Sequence, residues 1–230
     1  MNVTLKGSVV KQYPEGIAIA DVAKDLGMGL YKAACVAKVN GELCDLRTLL
    51  DHDCQLEILT FDAPEGKKTF WHTASHVLAQ AVKHLFPHAK LAIGPAVDNG
   101  FYYDVDCTPA ITQEDLARLE AEMQKIIKTG EELERFTLTP EEAKHLMEER
   151  DEPYKVELIE EHSGKGESIS LYRQGDFVDL CAGPHLLNVS PLKAVKLTSA
   201  TGAYWRGDAN NTQLVRVYGT CLLYTSRTCF

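Results

Sequence analysis

A chain of 230 residues with 45% hydrophobic content is long enough to bury two small cores without a long disordered region. Its net charge of −9 excludes a protein that holds nucleic acid by bulk electrostatics, because phosphate contacts come from clustered lysine and arginine; any such contact must be local. No apolar run approaches the ~18 residues of a membrane span, Met1-Asn2-Val3-Thr4-Leu5-Lys6 lacks the basic and apolar blocks of a secretory signal, and seven cysteines in no regular framework read as reduced thiols, so a cytoplasmic protein without a membrane partner is expected.

In chain order, Val3–Leu5 and Val9–Lys11 read as a β-hairpin, Ile17–Leu26 as a helix, and Ala34–Val39 and Leu56–Leu59 as strands, with Asn40-Gly41 as a turn. This pattern predicts a sheet wrapped on one helix. Its polar residues are scattered, which suits binding or positioning rather than catalysis. Phe61-Asp62-Ala63-Pro64-Glu65-Gly66, with proline and glycine close together, marks the boundary to a second domain. Lys67-Lys68 is expected to precede the next helix; these lysines, with Lys193, Lys196 and Arg206, are the candidates for local phosphate contact.

That next helix carries an apolar stripe of Ala74, Val77, Leu78, Ala81, Val82 and Leu85. His72 and His76, continued by Gln80 and Lys83, fall on nearly the opposite side, where they face a cleft, a partner or solvent. Further on, Thr112 with Asp115 and Thr139 with Glu142 read as helix starts, Pro140 sits at a first helical position, and Gly130 is a stop. The glutamates of these helices (120, 122, 131, 132, 134, 148 and 149) lie among lysines and arginines and read as a solvated face rather than a catalytic acid pair. Gly164-Lys165-Gly166-Glu167-Ser168 lacks the strand-loop-helix context of a phosphate-binding loop and reads as a turn. A strand-like run, Ile169–Leu180, then leads to Cys181 and His185 on either side of a Gly-Pro break.

The two pairs, His72/His76 and Cys181/His185, each have four-residue spacing and supply three imidazoles and a thiol. Neutral imidazoles and a thiolate can hold zinc at about 2.0–2.3 Å. The spacing is looser than in recurring zinc fingers and ribbons, so an open reactive site fits better than a closed structural one. With unperturbed pKa values of about 6.5, imidazoles also suit proton transfer near neutrality.

In these residues the chain resembles the amino-terminal half of bacterial-type threonyl-tRNA synthetases. The resemblance covers residues 1 to about 220 and rests on the HxxxH and CxxxH pairs, the segment Ile93-Gly94-Pro95 to Asn99-Gly100-Phe101-Tyr102-Tyr103-Asp104, Pro153-Tyr154-Lys155, and Tyr204-Trp205-Arg206-Gly207-Asp208, in that family's order. It implies an α+β protein: a small ubiquitin-like β-grasp (TGS) domain over 1–62 and a larger α+β editing domain of the threonyl/alanyl-tRNA synthetase type over 63–220. The implied reaction is hydrolysis of serine misattached to threonine tRNA. His72 would hold or activate the water or the terminal ribose, with His76, Cys181 and His185 lining the same pocket; Lys155 would bring a positive charge, Asp179 would receive the substrate ammonium, and Tyr103 would complete the wall. Editing would need no cofactor, although zinc at His72, His76, Cys181 and His185 is an alternative. ATP, magnesium and zinc would belong to a carboxy-terminal catalytic core, through which full-length relatives form homodimers. The partner would be the serine-bearing acceptor end of tRNA(Thr).

Residues 221–230 depart from the family pattern, and Cys221–Ser226 is what one reading frame of a transposon sequencing adapter, TGTCTCTTATACACATCT, would encode. A truncated longer gene product, without ligase activity of its own, is the expectation. A non-catalytic tRNA-binding or regulatory module and a metal-dependent hydrolase are the alternative readings. Undetectable deacylation with retained tRNA binding would favour the first, and loss of activity on chelation the second. A covalent role for the Cys181 thiolate is a further alternative.

Overall fold

The computed structural model describes residues 1–163 and 168–222. Its contacts divide the chain into two units, one of Met1–Phe70 with Gly183–Leu187, the other of Trp71–Ala182 with the residues from Asn188 onward.

The first unit begins with β1 (Asn2–Leu5), β2 (Val9–Gln12), β3 (Ile17–Ala18), α1 (Ile19–Leu26), α2 (Met28–Ala33), β4 (Ala34–Val39), β5 (Glu42–Cys44), β6 (Leu49–Leu50) and β7 (Cys54–Thr60). The hairpin β1–β2 pairs antiparallel as expected, and β1 then lies parallel to β7 in a five-stranded sheet of order β2-β1-β7-β4-β5. Alternation fixes which face is covered: Cys54 and Leu56 of β7 are buried while Gln55 and Glu57 beside them are exposed. Val3, Ile19, Val22, Ala37, Leu46, Leu50, Cys54 and Leu56 make the core, so the inner side of α1 fills the concave side of the sheet. Two details differ from the sequence expectation. The helix starts at Ile19 because Ile17 and Ala18 pair with Leu50 and Leu49, and a second short helix, α2, follows the Gly27 break.

Helix α3 (Pro64–Leu85) opens with proline at its first position, where no backbone N–H is needed. Lys67 and Lys68 therefore lie inside this helix rather than before it. Then come β8 (Lys90–Leu91), β9 (Ala96–Val97), β10 (Gly100–Asp106), a 3-10 turn at Gln113–Asp115, α4 (Leu116–Thr129), β11 (Leu133–Leu138), α5 (Pro140–Glu149), α6 (Pro153–Ser163), β12 (Ile169–Gln174), β13 (Phe177–Leu180), β14 (Ala194–Tyr204) and β15 (Gln213–Leu222). One sheet has the order β14-β15-β10-β8 with β9 on β10; another has β11-β12-β13. The expected single run Ile169–Leu180 is instead a hairpin, turning at Gly175-Asp176 and setting Tyr172 opposite Asp179.

Both expected helix starts are present as reciprocal caps: Thr112 with Asp115, and Thr139 with Glu142. Gly130, in the left-handed region at φ 70°, ends α4. The glutamates on these helices are only partly a solvated face. Glu120 accepts from Lys196 and the Leu197 amide, and Glu122 lies between Lys125 and His84. The turn expected at 164–168 lies outside the described residues except for Ser168, as do residues 223–230 of the tail.

Candidate active site

Helix α3 is buried almost all round. Thr73 to Val82 are each buried, so the middle of the polar side forecast from the helical period is not solvated. His76 and Gln80 are 2% and 1% exposed, while His72, one turn earlier, is half-buried. At His76 and Gln80 the polar face is therefore buried rather than solvated, while His72 and Lys83 remain partly exposed.

The Cys181 segment comes to this face. Cys181 Sγ is 3.4 Å from His72 Nε2, although 109 residues separate them. The His72 and His76 rings meet edge to face at 5.3 Å, and Phe177 packs edge-on against His76 at 6.1 Å. His72, His76 and Cys181 each offer a donor atom, all within 4.8 Å of one another. Tetrahedral zinc bonds of ~2.0–2.3 Å set ligand atoms roughly 3.3–3.8 Å apart, so the 3.4 Å between Cys181 and His72 matches such an ion, whereas donors 4.8 Å apart would have to close by about 1 Å to hold it.

Behind the histidines lies a buried charged group. Lys155 Nζ, from the first turn of α6, is 2.6 Å from Asp179 Oδ1 and donates to Tyr103 Oη at 3.0 Å; Tyr103 in turn donates to Asp179 Oδ2 at 2.6 Å. His76 Nε2 is 3.5 Å from the same Oδ2. Burial would push the Asp179 carboxyl up, but Lys155 beside it, with the hydrogen bonds from Lys155 and Tyr103, holds it below the usual carboxylate range. Burial depresses His76 to about 3, more than Asp179 raises it, so this imidazole is neutral at physiological pH. Burial, reinforced by Asp179, keeps the Tyr103 phenol well above its ordinary pKa. The site therefore presents an ammonium, a carboxylate, a neutral imidazole and a phenol that retains its proton.

Three residues that periodicity did not single out, Ser75, Gly94 and Glu152, lie around this group. Ser75 Oγ lies 2.6 Å from the Gly94 carbonyl and 2.8 Å from that of His72, so its single proton ties the Gly94 loop to the histidine helix. The Tyr103 ring lies directly on Gly94, where a Cβ would stand 2.1 Å from Tyr103 Cδ2. Glu152, just before Pro153, accepts from Lys83 at 2.7 Å and from the Leu91 amide at 2.7 Å, and burial raises its pKa. Lys83 lies on the polar face of α3, so a buried acid opposite it was the available signal. His185 falls in Gly183–Leu187, which belongs by its contacts to the first unit. It is fully buried; its amide faces Asp45 at 3.4 Å, and Arg47 donates to the Leu186 and Leu187 carbonyls at 2.8 Å each. Of the residues suggested for phosphate contact, Lys196 pairs with Glu120 and Arg206 with Glu157 and Glu161.

Residues 1–60 match the TGS domain model, and residues 169–218 match the model of the threonyl and alanyl tRNA synthetase second additional domain. The chain is 54% identical to the threonine–tRNA ligase of Clostridium tetani over 98% of its own length and 35% of that protein, and 55% identical to that of Acetivibrio thermocellus over 96% and 34%. The chain belongs to the threonyl-tRNA synthetase family. It comprises the TGS (β-grasp) domain and the editing-domain region of that family, with the mixed α+β fold expected from the sequence. It spans about a third of the length of the curated relatives it matches. The described cysteines are free thiols, and among the described residues no helix is long and apolar enough to cross a membrane.

Proposed function

We propose that this chain hydrolyses the ester of serine attached to threonine tRNA, proofreading the product of threonine–tRNA ligase in the cytoplasm, and that its functional domains divide at 62/63. The observation that carries the reading is the meeting of His72 with Cys181 beside the buried Lys155–Tyr103–Asp179 group, inside the editing-type unit. Aminoacyl esters are labile, so the site has only to orient a water, move a proton to the leaving ribose oxygen and steady a transient oxyanion.

His72 holds the water or the terminal ribose, and His76, held neutral, accepts a hydrogen bond rather than donating as an imidazolium. His185, four residues beyond Cys181, is the fourth member of the set. The substrate ammonium competes with Lys155 for Asp179, freeing the Lys155 charge to turn towards the ester carbonyl. Tyr103, anchored on Asp179, forms the wall. Cys181 lines the pocket without forming an acyl-enzyme, and the reaction proceeds without a metal. The partner is the acceptor end of tRNA(Thr), reached through local contacts, since the net charge of −9 gives little general attraction for phosphate.

This activity complements ligation. A synthetic pocket that accepts threonine gains only about 1–3 kcal/mol from the methyl that serine lacks, so a second, narrower pocket is needed to remove serine. Deacylation of seryl-tRNA(Thr) and threonyl-tRNA(Thr) by the purified chain tests the reading. Faster release of serine is expected, with loss of that activity in a folded His72→Ala variant; equal rates on both substrates refute the sieve.

The grouping of His72, His76 and Cys181 favours one second reading, a metal-dependent hydrolase in which a bound zinc would supply Lewis acidity. One tightly held zinc per chain, with activity lost on chelation, would replace the metal-free assignment.

A further inference from the structure

In the first unit, β7 runs past its neighbour. Its pairing with β1 stops at Thr4 opposite Gln55, and the β1–β2 hairpin turns back at Leu5 and Val9, while β7 continues to Thr60. Over Leu56–Thr60, β4 is the only strand paired with β7 among the described residues. Gln55 shows which way the backbone faces: its N–H donates to Asn40 Oδ1 and its carbonyl accepts from the Asn40 amide, each at 2.8 Å, so both point to the β4 side. Successive residues of a strand direct these groups to alternate edges, so after two Leu56 and Glu57 steps and one more, the N–H and carbonyl of Ile58 point to the side that β1 has left. The edge ends at Thr60, whose carbonyl accepts from the Ala63 amide at 3.1 Å. Space flanks it on both faces. A cavity of about 490 Å³ on the core side is lined by Leu5, Leu26, Leu30, Ile58 and Asp62, and one of about 420 Å³ on the outer face by Thr4, Lys38 and Gln55; Lys6 and Glu57 line both.

We propose that Leu56–Thr60 of β7 is a docking edge that takes up an extended segment of a partner protein as an added strand, with apolar residues at alternate positions, an acidic residue at the Lys6 end and a basic residue at the Asp62 end. Strand addition draws affinity from main-chain hydrogen bonds and specificity from pockets for alternate side chains. The two cavities supply that alternation, because one face of an added strand would meet Leu26, Leu30 and Ile58 and the other the polar outer surface. Charge complementarity sets the ends. Lys6 and Asp62 are exposed, and neither is in an ion pair among the described residues. The other charges beside the edge are answered within the unit: Lys38 is held by Glu65 at 2.6 Å, and Glu57 stands opposite Lys38 in the ladder. An exposed strand edge is a template for pairing with another chain, and this one gives the scattered polar residues of the first domain a binding role.

The test uses the whole isotope-labelled chain and amide hydrogen exchange read by NMR, so it stands apart from deacylation. The probes are an end-capped peptide, Glu-Val-Ser-Val-Lys, as long as the open edge, its reversed sequence, and a scrambled control, Glu-Lys-Ser-Val-Val. At millimolar concentration one of the first two is expected to slow exchange of the Ile58 amide several-fold, the forward sequence if the added strand lies parallel to β7 and the reversed one if antiparallel, while the control does not. Lys6→Glu weakens that peptide several-fold, and a version with lysine at both ends binds this variant better than it binds the parent chain. Leu30→Asp, which places a charge in the apolar cavity, weakens both sequences and serves should Lys6→Glu not fold. No slowing at Ile58, equal binding of the scrambled control, or affinity unchanged in the folded variants would each overturn the proposal. Sedimentation equilibrium showing a dimer, with Ile58 protected before any peptide is added, would assign the edge to a second copy of this chain and overturn it as well.

Discussion

Lys155 Nζ lies 2.6 Å from Asp179 Oδ1, and both residues are 3% exposed. A charge pair so enclosed is stable only as a pair. Each ion has lost its hydration, and the phenol of Tyr103 supplies the further hydrogen bonds that make this tolerable.

Removing one partner strands the other. Lys155→Met is expected to destabilise the chain by about 3–5 kcal/mol, whereas Lys155→Met with Asp179→Leu recovers most of that loss. Urea unfolding of the single and double variants measures it. A single-variant loss below about 1 kcal/mol would show that the charges are better solvated than their burial indicates.

His76 gives the acid limb of stability a definite sign. Its folded pKa of about 3 lies below the ordinary imidazole value of 6.5, so between these values the unfolded chain binds the extra proton. The stability that depends on a neutral His76 is complete above the unfolded pKa, and declines as pH falls from about 6.5 towards 3. His76→Gln, which never takes up that proton, is expected to flatten the dependence of Tm on pH in this window. A variant with the wild-type slope contradicts the assignment.

Gly94 permits the approach of Tyr103. With Cβ placed 2.1 Å from the ring, Gly94→Ala forces the ring or the loop to move, at a cost of about 1–3 kcal/mol. Tyr103→Leu removes the ring atoms concerned, so the added methyl should cost much less in that background. Additive losses across the double-mutant cycle, read by chemical denaturation, would mean that the loop is constrained by something else.

Cys181 separates water attack from covalent catalysis. Its thiol lies within reach of an imidazole, as a nucleophile would require, at 3.4 Å from His72 Nε2. If it only lines the pocket, Cys181→Ala keeps deacylation within a few-fold of the parent in single-turnover assays. Loss of turnover to the uncatalysed rate would establish the acyl-enzyme route instead.

Much of the local structure was legible because it depends on residues close in sequence. The Thr139–Glu142 cap, the Gly130 stop and the β1–β2 hairpin are decided within a few residues and appear as read. Less legible were elements that depend on a distant partner. Ile17 and Ala18 belong to a strand because Leu49 and Leu50 pair with them, and the Ile169–Leu180 run folds back at Gly175-Asp176, whose turn was hidden within an otherwise strand-like stretch.

The candidate site divides in the same way. Sequence alone determined the chemical inventory, with imidazoles a helical turn apart, a thiol before a Gly-Pro break, and Lys155, Asp179 and Tyr103 in family motifs, because residue type and short spacing are written directly in the chain. Only the tertiary structure decided that the polar face of α3 is buried at His76 and Gln80, that Asp179 already has a cation, and that Gly94 and Ser75 brace Tyr103 and His72. Burial and electrostatic pairing are set by many groups far apart in sequence, and it is their joint packing that turns a histidine with an ordinary pKa of about 6.5 into one that stays neutral.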